Sequence, residues 1–438
     1  MVSSRCFNIY KLLEQVLYGI LDIRDLTPSK AVIPIGGLGT RLYPLTVDTS
    51  KAMVRFLNRP LIDFIVMKLA KQGVREFYLG VSGYFNYVGL FDHLGSGERF
   101  SYKLGLHGDE IRIRYQPNIE SRGNAESVKL IMDYYDLRED LIVVQGDTLF
   151  DITLSDVWRY HRERGAYMTI VLKDLEDVSK LKHYGVADID GNGRIRRFVE
   201  KPATPSQAPS RLINTGIYIV SSEFREFFNS GVGRKLYEAG ELDFGKHVIP
   251  KLIECGYEVY GYVFKGLWFD IGNPDSYKES VHYMLKALND EELEVDFSYN
   301  GIKFMGKTAL SRKLQKSIVE RLQRGELIIE GDVLLGRHIF LGSGVKILNS
   351  VIDHYTVIND ESVIENSIIM DRCFLGGRTL ISNSIIGRHV RIGSNVIIKN
   401  SVIGNNVLIG NNVVIINSKI WPQKFISASQ DIRDTIIS

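Results

Sequence analysis

Cysteine is scarce in this chain: three among 438 residues, Cys6, Cys255 and Cys373, odd in number and far apart. No disulfide framework or zinc spacing can be assembled from them, which fits a reducing cytoplasm. Charge of one sign is missing too. Lys and Arg total 54 against 52 Asp and Glu, a formal net charge of +2, so there is no electrostatic case for nucleic acid or a membrane surface. Long apolar runs are absent. Over residues 1–29, Ile9, Leu12, Leu13, Val16, Leu17, Ile20 and Leu21 keep the spacing of one helical face, but Lys11 and Glu14 interrupt them. That excludes a secretory core or a membrane span, and predicts an amphipathic helix docked on the body or on a second subunit, with peripheral membrane attachment the lesser alternative because its polar face is not notably basic. The glycine-rich stretch Gly36–Arg41 also lacks the two commonest phosphate fingerprints: its spacing is not G-x-G-x-x-G, and Gly39 is followed by Thr-Arg where a P-loop has Lys-Ser/Thr.

What is present divides the chain. Its length calls for two domains or more, and 45% hydrophobic with 24% charged residues is the composition of a soluble globular protein. Across residues 30–288, short apolar runs alternate with helical patterns. Strands are expected at 31–35, 77–81, 111–115, 141–144 and 168–172, and helices at 61–71, 125–135 and 274–288. Such alternation implies an α/β domain with a mostly parallel, Rossmann-like sheet covered on both faces. Ligands of such sheets gather beyond the carboxyl ends of the strands, so functional residues should lie just after them.

Several do. The strand at 31–35 breaks into Gly36-Gly37-Leu38-Gly39-Thr40-Arg41, with Lys51 ten residues on. Glycines let backbone N–H groups close on one anion, Arg41 adds a planar charged fork and Lys51 a second cation. An ordinary tight turn would explain the glycines alone, but the two cations favour polyphosphate binding. The strand at 141–144 runs into Gly146-Asp147; an aspartate there is a hard oxygen ligand for magnesium, or a simple cap. Phe198-Val199 leads into Glu200-Lys201, a pair that is by itself most often a solvated surface pair.

From Val333 the pattern changes. Val333, Ile339, Val345, Val351, Val357 and Val363 fall on every sixth residue. After slips of one residue the rhythm returns at Ile368, Phe374 and Leu380, at Val390, Val396 and Val402, and at Val407 and Val413. This is the signature of a parallel β-helix, each coil burying its branched side chains on its neighbours. The expected layout is a helical extension at 1–29, an α/β domain at 30–288, a linker with helical pieces at 289–330, the β-helix at 331–422 and a tail at 423–438.

GGLGTRLYPLT followed by Ser50-Lys51 closely resembles the G-G-x-G-T-R-L-x-P-L-T…P-K stretch of sugar-1-phosphate nucleotidylyltransferases, with Ser50 and Ala52 where that family has prolines. The likeness continues through His183-Tyr184-Gly185-Val186, RRFVEKP, Ile213-Asn214-Thr215-Gly216 and Trp268-Phe269-Asp270-Ile271-Gly272. Residues 333–422 are similar to the left-handed hexapeptide-repeat tails of the mannose-1-phosphate guanylyltransferases in that family. The resemblance implies an enzyme joining a sugar-1-phosphate to a nucleoside triphosphate with release of pyrophosphate, most readily mannose-1-phosphate with GTP. It implies that Gly36, Gly37, Gly39 and Thr40 cradle the nucleotide, with Gln116 and Gly123 near the base, and that Arg41, Lys51 and Lys201 serve the phosphates catalytically. Gly185, Glu200 and Asn214 would hold the sugar, and Asp147 and Asp270 a Mg2+ ion. Around Gln116 the likeness weakens, because Arg122 and Asn124 stand where the family has Leu and Thr.

Three other readings share these features. Glucose-1-phosphate with thymidine, uridine or adenosine triphosphate is one. Acetyl transfer in the β-helix, with His338, His354 or His389 as base, is the second. A non-catalytic regulatory subunit is the third, and the presence of Arg41, Lys51, Asp147, Lys201 and Asp270 together weighs against it. Repeat stacks leave exposed faces, so a homo-oligomer is expected.

Overall fold

A computed structural model of the chain describes residues 27–37, 39–108, 110–118 and 122–438. The expected N-terminal helix lies almost wholly outside the described residues. The chain clusters into two units. One runs up to Gly37 and resumes over Ile62–Asp270; the other joins residues 39–61 to Ile271–Ser438.

The first unit is built on β1 (Lys30–Ile35), α1 (Leu61–Lys71), β2 (Glu76–Ser82), α2 (Tyr84–Leu94), β3 (Arg112–Asn118), α3 (Asn124–Tyr134), β4 (Leu141–Val144), β5 (Thr148–Phe150), α4 (Leu154–Glu163), β6 (Met168–Asp174), β7 (Gly185–Ile189), β8 (Ile195–Glu200), β9 (Leu212–Val220), β10 (Val259–Phe264) and β11 (Trp268–Asp270). The main sheet runs in the order β8-β7-β9-β4-β1-β2-β3, with β6 also on β9 and β10 on β6. β1, β2, β3 and β4 are mutually parallel, whereas β9 runs antiparallel to β4 and β6. Ala31, Val32 and Ile33 of β1 and all four residues of β4 have no exposed surface. Strands covered on both faces need continuous apolar runs, and these sequences supply them. The connection from β1 goes to β2 on one side, while β4 is added on the other. The strand order therefore reverses between β1 and β4, where an open α/β sheet leaves a crevice. β5 and β11 form a separate two-stranded ribbon.

The second unit opens with α5 (Pro274–Ala287), whose N-cap Asn273 accepts from the backbone of Asp275 and Ser276 at 3.0 Å. A hairpin, β12 (Phe297–Tyr299) and β13 (Ile302–Phe304), and α6 (Ala309–Gln323) follow. From Ile328 the chain winds as a left-handed β-helix of three parallel sheets. Each coil takes 17 residues: Leu335 pairs with Ile352, Ile352 with Ile369, Ile369 with Ile386 and Ile386 with Ile403. Two sides take six residues and the third takes five, so an exact hexad cannot mark the same place on every coil. The short corner is an Asn-Ser pair. Asn349, Asn366, Asn383, Asn400 and Asn417 all hold left-handed φ values of 44–50°, and Asn tolerates that region through its short polar side chain. The inner Leu and Ile column is fully buried and forms one continuous core.

Two expected boundaries move. Residues 289–330 are more than a linker, because β13 pairs in parallel with Val333–Leu335 and heads the stack. Residues 423–438 are coil rather than tail: Phe425–Ile426, Asp431–Arg433 and Ile436–Ile437 extend all three sheets. The larger departure is residues 39–61. Their position in sequence assigns them to the α/β domain, yet they cluster with the β-helix.

Candidate functional site

In the first unit, Gly36 and Gly37 lie exposed immediately beyond β1. The Gly146 N–H donates to the Pro34 carbonyl at 3.3 Å, and Ile35 and Pro34 leave no room there for a Cβ. The Gly146-Asp147 turn after β4 is thereby held against the end of β1, at the reversal point of the sheet. Asp147 leads into β5, and its neighbour Thr148 pairs directly with Asp270 at the end of β11. Thr148 Oγ1 lies 3.5 Å from the Asp147 carboxylate. Two aspartates 123 positions apart in sequence are thus brought onto one small ribbon. No group of three or more His, Cys, Asp or Glu side chains forms a metal cage among the described residues. Two carboxylates fit Mg2+, an ion that takes one or two protein carboxylates and completes its shell with water and phosphate oxygens.

A second cluster gathers around Glu200, the last residue of β8. Burial raises its carboxyl above the usual range, partly offset by Lys201, whose Nζ lies 3.5 Å away. Lys201 adopts φ 47°, and its N–H donates to the Tyr184 carbonyl at 3.0 Å, leaving the ammonium largely exposed. Gly185 faces Glu200 across the β7–β8 pair, and a Cβ at Gly185 would strike Phe198 and the Glu200 carboxylate. Asn214 donates to the Tyr218 hydroxyl at 2.9 Å and accepts from the Gly216 N–H at 3.0 Å, at the point where β9 shifts register. The Trp268 indole N–H donates to the Thr215 carbonyl at 3.0 Å, with Tyr184 edge-on at 5.4 Å. Trp268 is half-buried and pins this bulge.

The segment 242–248 lines the same place. A Cβ at Gly245 would collide with the Glu200 carboxylate. Its turn is fixed by Asp243, which caps Lys246, and by Asn124, whose side chain accepts from the Phe244 N–H at 2.7 Å. Ala125 donates to the Leu242 carbonyl at 3.0 Å, and Gly123, at φ 147°, passes so close to the Leu242 backbone that any side chain is excluded. Arg122, the unexpected residue beside it, bonds Glu126 through its Nε at 2.7 Å and lies 4.6 Å over the Tyr237 ring. It fastens α3 to a neighbouring helix. Gln116 is half-buried in β3, paired with Gly80.

In the second unit, Gly39 takes φ 58° and its carbonyl accepts from Thr46 Oγ1 at 2.8 Å. Thr40 and Arg41 sit on a single 3-10 turn, Thr40–Leu42, and Lys51 begins another, Lys51–Met53. Arg41 is exposed and Lys51 half-buried. The three histidines considered for a second activity all occupy β-helix corners. His338 stacks on Tyr355 at 5.0 Å, His354 Nδ1 accepts from the Arg337 N–H at 3.0 Å, and His389 is near Asn406 at 3.3 Å. No helix among the described residues is long and apolar enough to cross a membrane.

Comparison with known proteins bears on both units. Residues 30–287 match the family model described as nucleotidyl transferase, and residues 326–437 the one described as GMPPB C-terminal domain. The chain is 30% identical, over 79% of its length and 84% of the relative's, to a "UTP--glucose-1-phosphate uridylyltransferase" of Synechocystis sp.. It is 32% identical, over 56% of its length and 60% of the relative's, to a "Putative mannose-1-phosphate guanyltransferase" of Sulfolobus acidocaldarius. Its fold is like that of a solved "Putative Glucose-1-Phosphate Thymidylyltransferase" from Bacillus anthracis, with TM-score 0.50 and 22% identity, covering 62% of this chain and 97% of the other.

Proposed function

The chain belongs to the nucleotidyl transferase family, as an enzyme of its sugar-1-phosphate branch, and from that premise we propose that it couples mannose-1-phosphate to GTP, giving GDP-mannose and pyrophosphate. The observation that carries the reading is the meeting of Gly36-Gly37 and Gly146-Asp147 at neighbouring strand ends, where the sheet reverses its order. The C-terminal family match and the Sulfolobus relative favour mannose and guanine; the Synechocystis relative is the reason to keep glucose with UTP as the rival pair.

In this reading Gly36, Gly37, Gly39 and Thr40 present backbone N–H groups to the triphosphate, with Gln116 and Gly123 on the base side. Arg41 and Lys51 neutralise its phosphates, and Lys201 meets the sugar phosphate. Glu200 and Asn214 bond sugar hydroxyls, and Gly185 lets the backbone lie against the ring. A phosphate monoester has its second pKa near 6, so the attacking oxygen is already ionised at neutral pH and needs no general base. What the side chains contribute is alignment of that oxygen with the α-phosphorus, and relief of the repulsion between two anions. Asp147 and Asp270 would hold Mg2+, which supplies further neutralisation of phosphate oxygens when bound. A cytoplasmic setting and an assembly of at least two copies complete the reading.

The test is pyrophosphate release with GTP, ATP, UTP and dTTP, each against mannose-1-phosphate and glucose-1-phosphate. GTP with mannose-1-phosphate is expected to give the highest kcat/KM. Asp147→Asn is expected to lower turnover by at least three orders of magnitude, with an unchanged circular dichroism spectrum. Near-normal turnover in that variant removes Asp147 from the metal site.

A further inference from the structure

Residues 39–61 carry Arg41 and Lys51, and the structure fastens this segment to successive corners of the β-helix. Tyr43, two residues after Arg41, sets its ring edge-on to the Trp421 indole, with centroids 5.3 Å apart and planes at 75°. Asp48, three residues before Lys51, accepts from Asn405 Nδ2 at 2.7 Å. Asn405 is 6% exposed, and its Oδ1 accepts from the Arg388 N–H at 2.8 Å, so its amide is fixed with nitrogen toward Asp48. Arg55, four residues after Lys51, forks Asp353 through Nε at 2.7 Å and Nη2 at 2.8 Å. Asn58 donates to the Ile352 carbonyl at 3.3 Å.

These anchors fall on different coils. Asp353, Asp371, Arg388, Asn405 and Trp421 follow five consecutive strands of one sheet. Four steps of ~4.8 Å spread the anchors over about 19 Å along the stack. The segment has little order of its own: two three-residue 3-10 turns and a hairpin of two-residue strands. Short turns of that kind hold poorly without partners. The β-helix is their opposite, a ladder in which every coil bonds its neighbours.

We propose that the β-helix sets the conformation of the Arg41–Lys51 loop, with Trp421, Asn405 and Asp353 as positioning residues for binding of the triphosphate. The proposal rests on the reading above for what the loop holds. Its physical content is preorganisation: a loop whose cations are already placed loses less freedom when the nucleotide arrives. The β-helix is then part of the nucleotide-binding machinery.

The full-length double variant Asn405→Ala/Trp421→Ala tests this, with Trp421→Phe as the conservative control. Amide exchange of residues 39–56 is expected to quicken about tenfold in the double variant, while the coils keep their protection. The KM for GTP·Mg is expected to rise about tenfold, with the KM for mannose-1-phosphate within twofold of wild type. Trp421→Phe is expected to rescue most of the loss seen with Trp421→Ala, because it keeps an aromatic contact for Tyr43. Unchanged exchange and KM in a folded double variant overturn the proposal. So does faster exchange spread evenly over all coils, which would mean only that the stack had loosened. Should wild type release pyrophosphate from no substrate pair, the enzymatic reading fails, while exchange still reports whether the β-helix orders the loop.

Discussion

At the scale of single residues, His354 shows how an ionisable group can stand in for an amide. At the equivalent corners, Asn405 Oδ1 accepts from the Arg388 N–H, Asn411 from Ser394 and Asp360 from Ser343, each at 2.8 Å. At the corresponding place His354 Nδ1 accepts from the Arg337 N–H, so this nitrogen must be unprotonated. Burial lowers the His354 pKa to about 4, with Arg55 and Arg337 pushing the same way and Asp353 and Asp371 opposing. A folded pKa below the unfolded value near 6.5 means that the unfolded chain binds the proton first. Stability from this residue is complete above pH 6.5 and lost as pH falls toward 4, by about 3 kcal/mol in all. His354→Asn keeps the acceptor and removes the titration. Urea midpoints at pH 7 and pH 5 are expected to differ less in that variant than in wild type, and an equal pH response would refute the assignment. Arg122 teaches a related lesson. Its sequence position suggested a departure at the base-reading loop, but its partners, Glu126 and Tyr237, are structural. Motif position tells which residues are near a site and is silent on where a long side chain turns.

At the scale of elements, the strands and helices of the α/β unit were legible because their signals are local. Apolar runs of five and four residues marked β1 and β4, and 3.6-residue spacing marked α1 and α5. The candidate site was legible to the extent that its residues follow strands: Asp147 after β4 and Glu200 at the end of β8. The wall at 242–248 was not, since it is placed by Asn124 and Ala125 more than a hundred residues earlier. In the β-helix the hexad was visible and the 17-residue coil was not. The valine pattern registers each side, whereas the turn is closed by an Asn-Ser corner that contributes no apolar residue. That corner carries its own ladder. Asn383 Nδ2 donates to Asn400 at 2.8 Å, Asn400 to Asn417 at 3.2 Å and Asn417 to Asp434 at 3.0 Å. The following serines are linked too, each Oγ accepting from the N–H of the next corner, as in Ser384 to Ser401 at 3.1 Å. Asn400→Ala would put a Cβ with no polar compensation at φ 49° and cut two ladder bonds. A loss of about 2 kcal/mol is expected, from ~1–2 kcal/mol of left-handed strain and a smaller share for the exposed bonds. Asn400→Gly removes the strain and should cost about 1 kcal/mol less in urea unfolding. Equal losses in the two variants would show that backbone strain is not the cause.

At the scale of the whole chain, the feature hidden from sequence is the allegiance of residues 39–61. Nothing local marks them as partners of the β-helix, because the tie is made by residues such as Arg55 and Asp353, 298 positions apart. Their ion pair is well enclosed. The Arg55 side chain is 15% exposed and that of Asp353 2%, with Asp371 a second carboxylate 3.9 Å from Arg55 and itself forked by Arg388. Breaking a buried pair by removing one partner strands the other charge and costs ~3–5 kcal/mol, whereas removing both can cost far less. Asp353→Asn is a clean probe, because its Oδ1 can still accept the His354 N–H that it holds at 2.6 Å. Arg55→Met keeps most of the aliphatic volume and removes the fork. Each single variant is expected to lose about 3 kcal/mol in the unfolding transition of the full chain. The double variant should fall short of the sum by ~1–3 kcal/mol, the range of coupling seen for residues in contact. Strict additivity would mean that the pair contributes nothing to holding the segment. A coupling that disappears on replacing Asp371 by Asn would move the tie from the 55–353 pair to the wider charge network around Arg388.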